Sequence, residues 1–247
     1  MPALYHMNLL PAGKKQPVLE GRAVHGLFFR LLAEINPQIA EQIHHRSEKP
    51  FSISALSESV IQISVFCSEL ELELEKMTVH QFTGITIDAM PVAVKIRRVK
   101  VIDPLRIWEN IRISGPLGNL RVQYLSPTSF RRDGVQELFP DPGLLFRSLH
   151  KKAGSFCGEW FGQETTPPEE FVSQIRVARY ELKTQQAGFG RYMIIGCTGQ
   201  AIYDCRRIDV PVSRKTVAFL ATVAPFIGVG YKTTMGMGRV ECSLEGV

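Results

Sequence analysis

Apolar residues in the first part of the chain recur with strand and helix periods in turn. Residues 3–10 alternate as an opening strand, and residues 21–34 carry apolar side chains at i, i+3, i+4 and i+7, which predicts a helix. Asn36-Pro37 is typical of an N-cap followed by a first-turn proline. A second, short helix is therefore predicted from Pro37 to His45.

Strand periodicity follows over residues 51–56, 60–66 and 85–101, and the last of these places Val92, Val94, Ile96 and Val99 on its apolar side. Residues 69–76 are ambiguous, because their leucines alternate strictly with glutamates as in a strand. Leu and Glu are also good helix formers, and this favours a helix there.

Proline and glycine are concentrated in residues 103–118, which predicts a linker. The same order of elements then repeats as a strand, a helix, two strands, a helix and a strand, over residues 120–125, 142–151, 173–184, 192–203, 213–223 and 239–244. Each half thus has a β-α-β-β-α-β order. We predict an α+β fold of two tandem ferredoxin-like domains, residues 1–116 and 117–247.

Composition narrows the class of protein. The chain has 247 residues, 45% hydrophobic and 21% charged, with a net charge of +5, as in soluble globular proteins. No apolar stretch approaches the roughly 20 residues that span a bilayer, and the N-terminus lacks a signal-peptide pattern. Five cysteines without a C-x-x-C pair indicate reduced thiols. A cytoplasmic location is expected.

One glycine-rich stretch near the C-terminus, Gly228 to Gly238, has four glycines in eleven residues, namely Gly228, Gly230, Gly236 and Gly238. Such a loop lets backbone N–H groups approach an anion, and Lys232 and Arg239 add positive charge. The spacing fits neither a Walker A loop nor a dinucleotide fingerprint. The alternative is a long turn whose methionines pack inward.

Three histidines are candidates for acid–base chemistry near neutral pH: His44 and His45 at the predicted helix end, and His25 on the first helix. Neighbouring residues of a helix point about 100° apart, so at most one of the adjacent pair should face a given site. The alternatives are solvated surface histidines for the pair and a buried structural histidine for His25. No ligand spacing predicts a metal site or a cofactor.

Three segments together resemble the CRISPR-associated repeat-specific endoribonucleases of the RAMP superfamily. The first runs from His25 through the helix end at His44 to the Lys49-Pro-Phe-Ser-Ile-Ser strand. The second is Leu125-Ser-Pro-Thr-Ser-Phe-Arg131, and the third is the glycine-rich stretch. The resemblance implies two tandem ferredoxin-like domains and metal-independent cleavage of precursor CRISPR RNA by a 2′-hydroxyl, which leaves a 5′-hydroxyl and a 2′,3′-cyclic phosphate.

The resemblance also suggests site residues. The family's histidine matches His44, and Lys49 lies near a lysine that some members use. Other members have a tyrosine where this chain has Phe29, which cannot transfer a proton, so His45 and His25 are the expected replacements. The expected RNA-binding residues are the four loop glycines, Lys232, Arg239, Arg131 and Arg132.

Repeat RNA is the expected partner, bound by a monomer or a homodimer, and other subunits of a CRISPR effector complex are further candidate partners. A non-catalytic RAMP subunit that binds guide RNA is the alternative function, and a generic RNA-binding protein with two ferredoxin-like domains is a third. The halves differ in charge: residues 1–116 carry 13 basic and 12 acidic side chains, whereas residues 117–247 carry 16 and 12. We therefore expect the chemistry in the first domain and most of the RNA binding in the second.

Overall fold

The computed structural model describes residues 2–11, 13, 19, 21–87, 89–190 and 192–246. The chain forms two compact units. The first comprises residues up to 102 together with 188–193 and 234–236, and the second comprises residues 103–187, 194–233 and 237 onward. The N-terminal segment of the first unit ends at residue 102, whereas the sequence places a domain boundary between residues 116 and 117.

The first unit contains, within the described residues, β1 (Ala3–Pro11), α1 (Gly21–Ile35), α2 (Pro37–His45), β2 (Phe51–Ala55), β3 (Val60–Val65), α3 (Ser68–Val79), β4 (Phe82–Ile87) and β5 (Met90–Val101). Its strands form one antiparallel sheet in the order β2-β3-β1-β5-β4. If β5 is taken as the fourth strand, this is the ferredoxin-like arrangement with β4 added at the edge.

The helices of the first unit follow the sequence predictions closely. The apolar face of α1 is buried in one core with alternate residues of β1. The ambiguous segment over residues 69–76 is helical, because Leu70 and Leu74 are fully buried on one face of α3 while Leu72 is 63% exposed. The helix interpretation is therefore confirmed.

The predicted single strand over residues 85–101 is wrong in two respects. It is a hairpin, β4 and β5, whose turn includes Ala89 at a φ of 62°. Val99 is 44% exposed instead of packed inward. The register between β1 and β5 shifts by one residue at this point, with Leu4 opposite Lys100 and Tyr5 opposite Arg98. The bulge changes the face only of the residues that follow it; Val99 itself lies three positions after Ile96, so the two-residue period of the strand already places it on the opposite face.

The second unit contains α4 (Pro104–Asn110), β6 (Asn119–Thr128), β7 (Phe130–Arg132), β8 (Val135–Glu137), α5 (Pro142–Cys157), α6 (Glu159–Glu164), β9 (Arg176–Gly188, with Gly188 counted in the first unit), β10 (Met193–Asp204, with Met193 in the first unit), α7 (Pro211–Ile227) and β11 (Val240–Leu244). Helix α4 lies inside the predicted linker and starts at an Asp103 N-cap, whose side chain accepts from the Arg106 amide. Residues 104–110 of the predicted linker therefore form a helix.

The main sheet of the second unit has the order β11-β6-β10-β9, which again is the ferredoxin-like arrangement. Strands β7 and β8 form a separate hairpin. The predicted fold class, two tandem ferredoxin-like domains, is confirmed. Among the helices that the structure describes, none has the length and apolar character needed to cross a membrane.

Candidate functional site

Helix α2 ends in the two adjacent histidines. The side chain of Asn36 caps the start of α2 by accepting from the Ile39 amide at 3.2 Å. Ile43 is fully buried, so the last turn is fixed against the core and the next two residues are directed outward. His44 and His45 are both exposed, and their ring centroids lie 5.6 Å apart with the ring planes nearly perpendicular.

His25, Phe29 and His44 form a compact group of rings, called here the histidine cluster. Ring centroids are 4.8 Å apart for His25 and Phe29, and 5.0 Å apart for Phe29 and His44. The centroids of His25 and His44 are separated by 6.3 Å. One member of the adjacent pair, His44, thus joins the cluster, with His45 beside it. The half-buried Phe29 lies between two groups that can transfer protons.

Lys49 lies in the connection between α2 and β2. Its ammonium group donates to the carbonyl oxygen of Arg46 at 3.1 Å. Arg46, the C-cap of α2, forms an ion pair with Glu69 at 2.6 Å. These contacts hold the connection between α2 and β2 at the end of the helix that carries His44.

The turn of the glycine-rich loop, Thr234 to Gly236, belongs to the same compact unit as the histidine cluster. His25 Nδ1 lies 2.9 Å from the carbonyl oxygen of Thr234. At the start of α1, a Cβ placed on Gly21 would lie 2.2 Å from the Met235 carbonyl oxygen. Helix α1 therefore contacts this turn through the backbone at Gly21 and through the side chain of His25.

The rest of the glycine-rich loop belongs to the second unit, and several of its amide groups are hydrogen-bonded within the protein. The amides of three loop glycines and of the adjacent Arg239, all assigned to RNA binding from the sequence, already have acceptors: Gly228 donates to the Ala224 carbonyl, Gly230 to Ser148 Oγ, Gly238 to the Pro127 carbonyl and Arg239 to Ser126 Oγ. The interpretation of the loop as a cradle of free N–H groups does not apply to these four positions. Met237 is buried, as in the alternative of a packed turn, and Met235 is half-buried.

Two of these glycines are required by close packing. A Cβ on Gly230 would lie 2.3 Å from the Ser129 carbonyl oxygen, and one on Gly238 would lie 2.0 Å from that of Val229. Both residues also have positive φ, 78° and 74°. Glycine at these positions therefore sets the shape of the loop.

Two positive side chains of the second unit lie over an aromatic ring. The guanidinium carbon of Arg131 lies 4.4 Å from the centre of the Tyr231 ring, and Lys232 Nζ lies 5.1 Å from it. Arg132, the neighbour of Arg131 on β7, is paired with Asp141 at 2.9 Å. The Arg131–Tyr231–Lys232 group combines charge with a ring on which a base could stack.

Three more residues shape this region: Tyr231, which the sequence offers as an aromatic residue near basic clusters, Lys152, which belongs to one of those clusters, and Ser148, which sequence reasoning did not select. Ser148 and Lys152 lie one turn apart on α5, and Lys152 Nζ donates to Thr233 Oγ1 at 2.7 Å. The signal was their i, i+4 spacing, which puts both on one face of a helix. Within the described residues, no three His, Cys, Asp or Glu side chains are grouped so that they could hold a metal ion.

Comparison with known proteins identifies the family. Residues 1–84 match the family model described as "CRISPR Cas6 N-terminal domain", and residues 122–240 match "CRISPR-associated endoribonuclease Cas6". Among curated proteins, the CRISPR-associated endoribonuclease Cas6 of Mycobacterium tuberculosis (strain H37Rv) is 28% identical over 230 residues, which cover 90% of this chain and 71% of the relative. That of Streptococcus thermophilus is 18% identical and covers 85% and 87%.

Solved structures share the fold. Thermus thermophilus Cas6 superimposes with a TM-score of 0.71 at 22% identity, with 98% of each chain covered. A Cas6 product complex gives a TM-score of 0.72 at 21% identity and covers 98% of this chain and 100% of the other. With two models of one family matched in chain order, this chain belongs to the Cas6 family of CRISPR-associated endoribonucleases.

Proposed function

We propose that this chain is a metal-independent endoribonuclease that cleaves precursor CRISPR RNA within its repeats. The observation that carries the proposal is the exposed His44 at the end of α2, next to His25 across the Phe29 ring, in a member of the Cas6 family. Two imidazoles on one surface supply the two proton-transfer groups that internal RNA cleavage needs.

The proposed reaction is an internal transesterification. The 2′-hydroxyl oxygen before the scissile phosphate loses its proton to a base and attacks phosphorus. The bond from phosphorus to the 5′-oxygen breaks, and this oxygen takes a proton from an acid. The products are a 2′,3′-cyclic phosphate and a 5′-hydroxyl. His44 is the first candidate for one proton transfer, and His25, His45 and Lys49 are the candidates for the other.

RNA binding is assigned mainly to the second domain, residues 117–247, and the chemistry to the first, residues 1–116. Within the loop, Lys232 and the turn that ends at Gly236 are proposed to meet the RNA backbone. Gly228, Gly230 and Gly238 contribute by fixing the loop. Arg131, Arg132 and Arg239 are proposed to contact RNA phosphates, and Arg132 also pairs with Asp141. The Tyr231 ring, which Arg131 covers, is proposed as a surface on which a base stacks.

The proposal is tested by incubating the protein with the repeat RNA of its own locus in EDTA. Cleavage is expected, and it should stop when the 2′-hydroxyl at the cut site is replaced by hydrogen. A requirement for Mg²⁺ would contradict the mechanism. RNA that is bound but stays intact would support the alternative of a non-catalytic RAMP subunit.

His44→Ala should slow single-turnover cleavage by about tenfold or more and leave RNA affinity nearly unchanged. His45→Ala is the comparison variant, because it removes the other exposed imidazole of the same helix end, which is itself a candidate for the second proton transfer. An unchanged rate for His44→Ala would move the assignment to His45 or His25.

A further inference from the structure

The contact between α1 and the loop turn has a defined chemical form. His25 Nδ1 is 2.9 Å from the Thr234 carbonyl oxygen, and the two residues are 209 positions apart in the chain. A carbonyl oxygen only accepts hydrogen bonds, so Nδ1 must carry the proton. Both the neutral ring protonated at Nδ1 and the imidazolium ion can donate this bond.

A second, independent contact holds the same turn. A Cβ on Gly21, one helical turn before His25, would lie 2.2 Å from the Met235 carbonyl oxygen and 2.7 Å from the Phe189 ring. From the side of the turn, a Cβ on Gly236 would lie 3.9 Å from the Gly21 Cα. One helix face thus contacts the turn by backbone packing at Gly21 and by a hydrogen bond at His25.

We propose that His25 is a positioning residue, whose Nδ1–H···O=C bond to Thr234 fixes the turn of the glycine-rich loop on α1 in its RNA-binding conformation. The effect reaches RNA through Thr234 to Gly236 and is separate from any proton transfer by the imidazole. The inference rests on the proposed function, because it takes this loop as an RNA-binding segment.

The first test measures affinity for a repeat RNA that carries 2′-deoxyribose at the cut site, so that cleavage does not interfere. His25→Ala should weaken binding about three- to tenfold, the range expected for one lost hydrogen bond. His25→Asn should restore affinity to within about two-fold, because its side-chain NH₂ replaces the Nδ1 donor. His25→Phe, which keeps a ring without a donor, should bind as poorly as His25→Ala.

The matched pair Gly21→Ala and Gly26→Ala tests the packing contact on the same helix. Nothing lies within 4 Å of a Cβ on Gly26, so this variant should bind RNA within about two-fold of the wild type. Gly21→Ala should bind at least as weakly as His25→Ala. Equal affinities for the two glycine variants, or an unaffected His25→Ala, would overturn the proposal.

Two readouts do not require RNA. The ¹⁵N shifts of the His25 ring should show the proton on Nδ1 at pH 8, and amide hydrogen exchange over residues 233–237 should speed up in His25→Ala but not in His25→Asn. A ring protonated at Nε2 alone would overturn the inference. If the wild type failed to bind or cleave repeat RNA, the proposed function would fail while these two measurements still decided whether His25 holds the turn.

Discussion

Asn36 makes one hydrogen bond that caps α2 and one that links the start of α2 to α3. Its Oδ1 accepts from the Ile39 amide at 3.2 Å, and its Nδ2 donates to Glu73 Oε1 at 3.1 Å. The side chain of Glu73 is only 8% exposed, and its carboxylate also accepts from Lys76 Nζ at 3.0 Å. Asn36→Ala removes the helix cap and one of the donors to a buried charge.

The expected loss of stability follows from these two contacts. A lost N-cap costs about 1 kcal/mol, and a lost hydrogen bond to a charged group costs about 1.5–3 kcal/mol. Lys76 keeps the Glu73 carboxylate partly satisfied, so we expect Asn36→Ala to lower the free energy of unfolding by about 2–4 kcal/mol. Asn36→Ser keeps a capping oxygen but is too short to reach Glu73, and should lose about 1 kcal/mol less than Asn36→Ala.

Urea denaturation followed by far-UV circular dichroism measures the loss. Both tryptophans of the chain, Trp108 and Trp160, belong to the second unit, so their fluorescence follows that unit as an internal reference. Leu72→Ala, an exposed change on α3, is the control and should stay within about 0.5 kcal/mol of the wild type. A loss below about 1 kcal/mol for Asn36→Ala would refute the two-contact reasoning.

Three further predictions concern the second unit. Gly238→Ala should destabilise it by about 2 kcal/mol more than Gly134→Ala in urea denaturation, since both have positive φ but only the first collides with the Val229 carbonyl. Tyr231→Leu should weaken repeat-RNA binding about tenfold in a filter-binding assay while Tyr231→Phe binds normally, because stacking needs only the ring. Burial lowers the pKa of His150, so stability should fall as the pH drops from 7 to 5, and His150→Gln should reduce that fall in the urea midpoint.

Local signals explain what could be predicted from the sequence. Helix α2 has the predicted bounds, because an asparagine N-cap, a first-turn proline and the following amphipathic turn all lie within ten residues. Helix α3 shows that strict alternation can mislead, since its glutamates and leucines also form a helix with one buried face. In both helices, residues close together in the sequence determine the structure.

The two errors within residues 85–101 have different causes. The turn between β4 and β5 uses Ala89 at positive φ, where glycine or asparagine would have signalled a hairpin. Val99 lies three positions after Ile96, so the two-residue period of a strand already places these two side chains on opposite faces, and the interpretation of Val99 as inward was wrong. Sequence alone could not place the turn at Ala89, whereas strict alternation along the strand would have placed Val99 outward.

In the candidate site, too, some residues could be recognised from the sequence and others only from the structure. His44 was recognisable from its place at a helix end and from the resemblance to a known family. The bond between His25 and Thr234 joins residues 209 positions apart, so no spacing rule could find it. The sequence shows four glycines close together, but only the structure shows that Gly230 and Gly238 pack against backbone carbonyl groups.

The central claim is cleavage by the RNA's own 2′-hydroxyl with His44 in the histidine cluster. Single-turnover cleavage of the repeat RNA in EDTA, followed by analysis of the RNA ends, tests it most directly. We predict a 2′,3′-cyclic phosphate on the upstream fragment and a 5′-hydroxyl on the downstream fragment, with a rate about tenfold or more lower in His44→Ala. A 5′-phosphate on the downstream fragment, or cleavage of the 2′-deoxy substrate at the same position, would contradict the account.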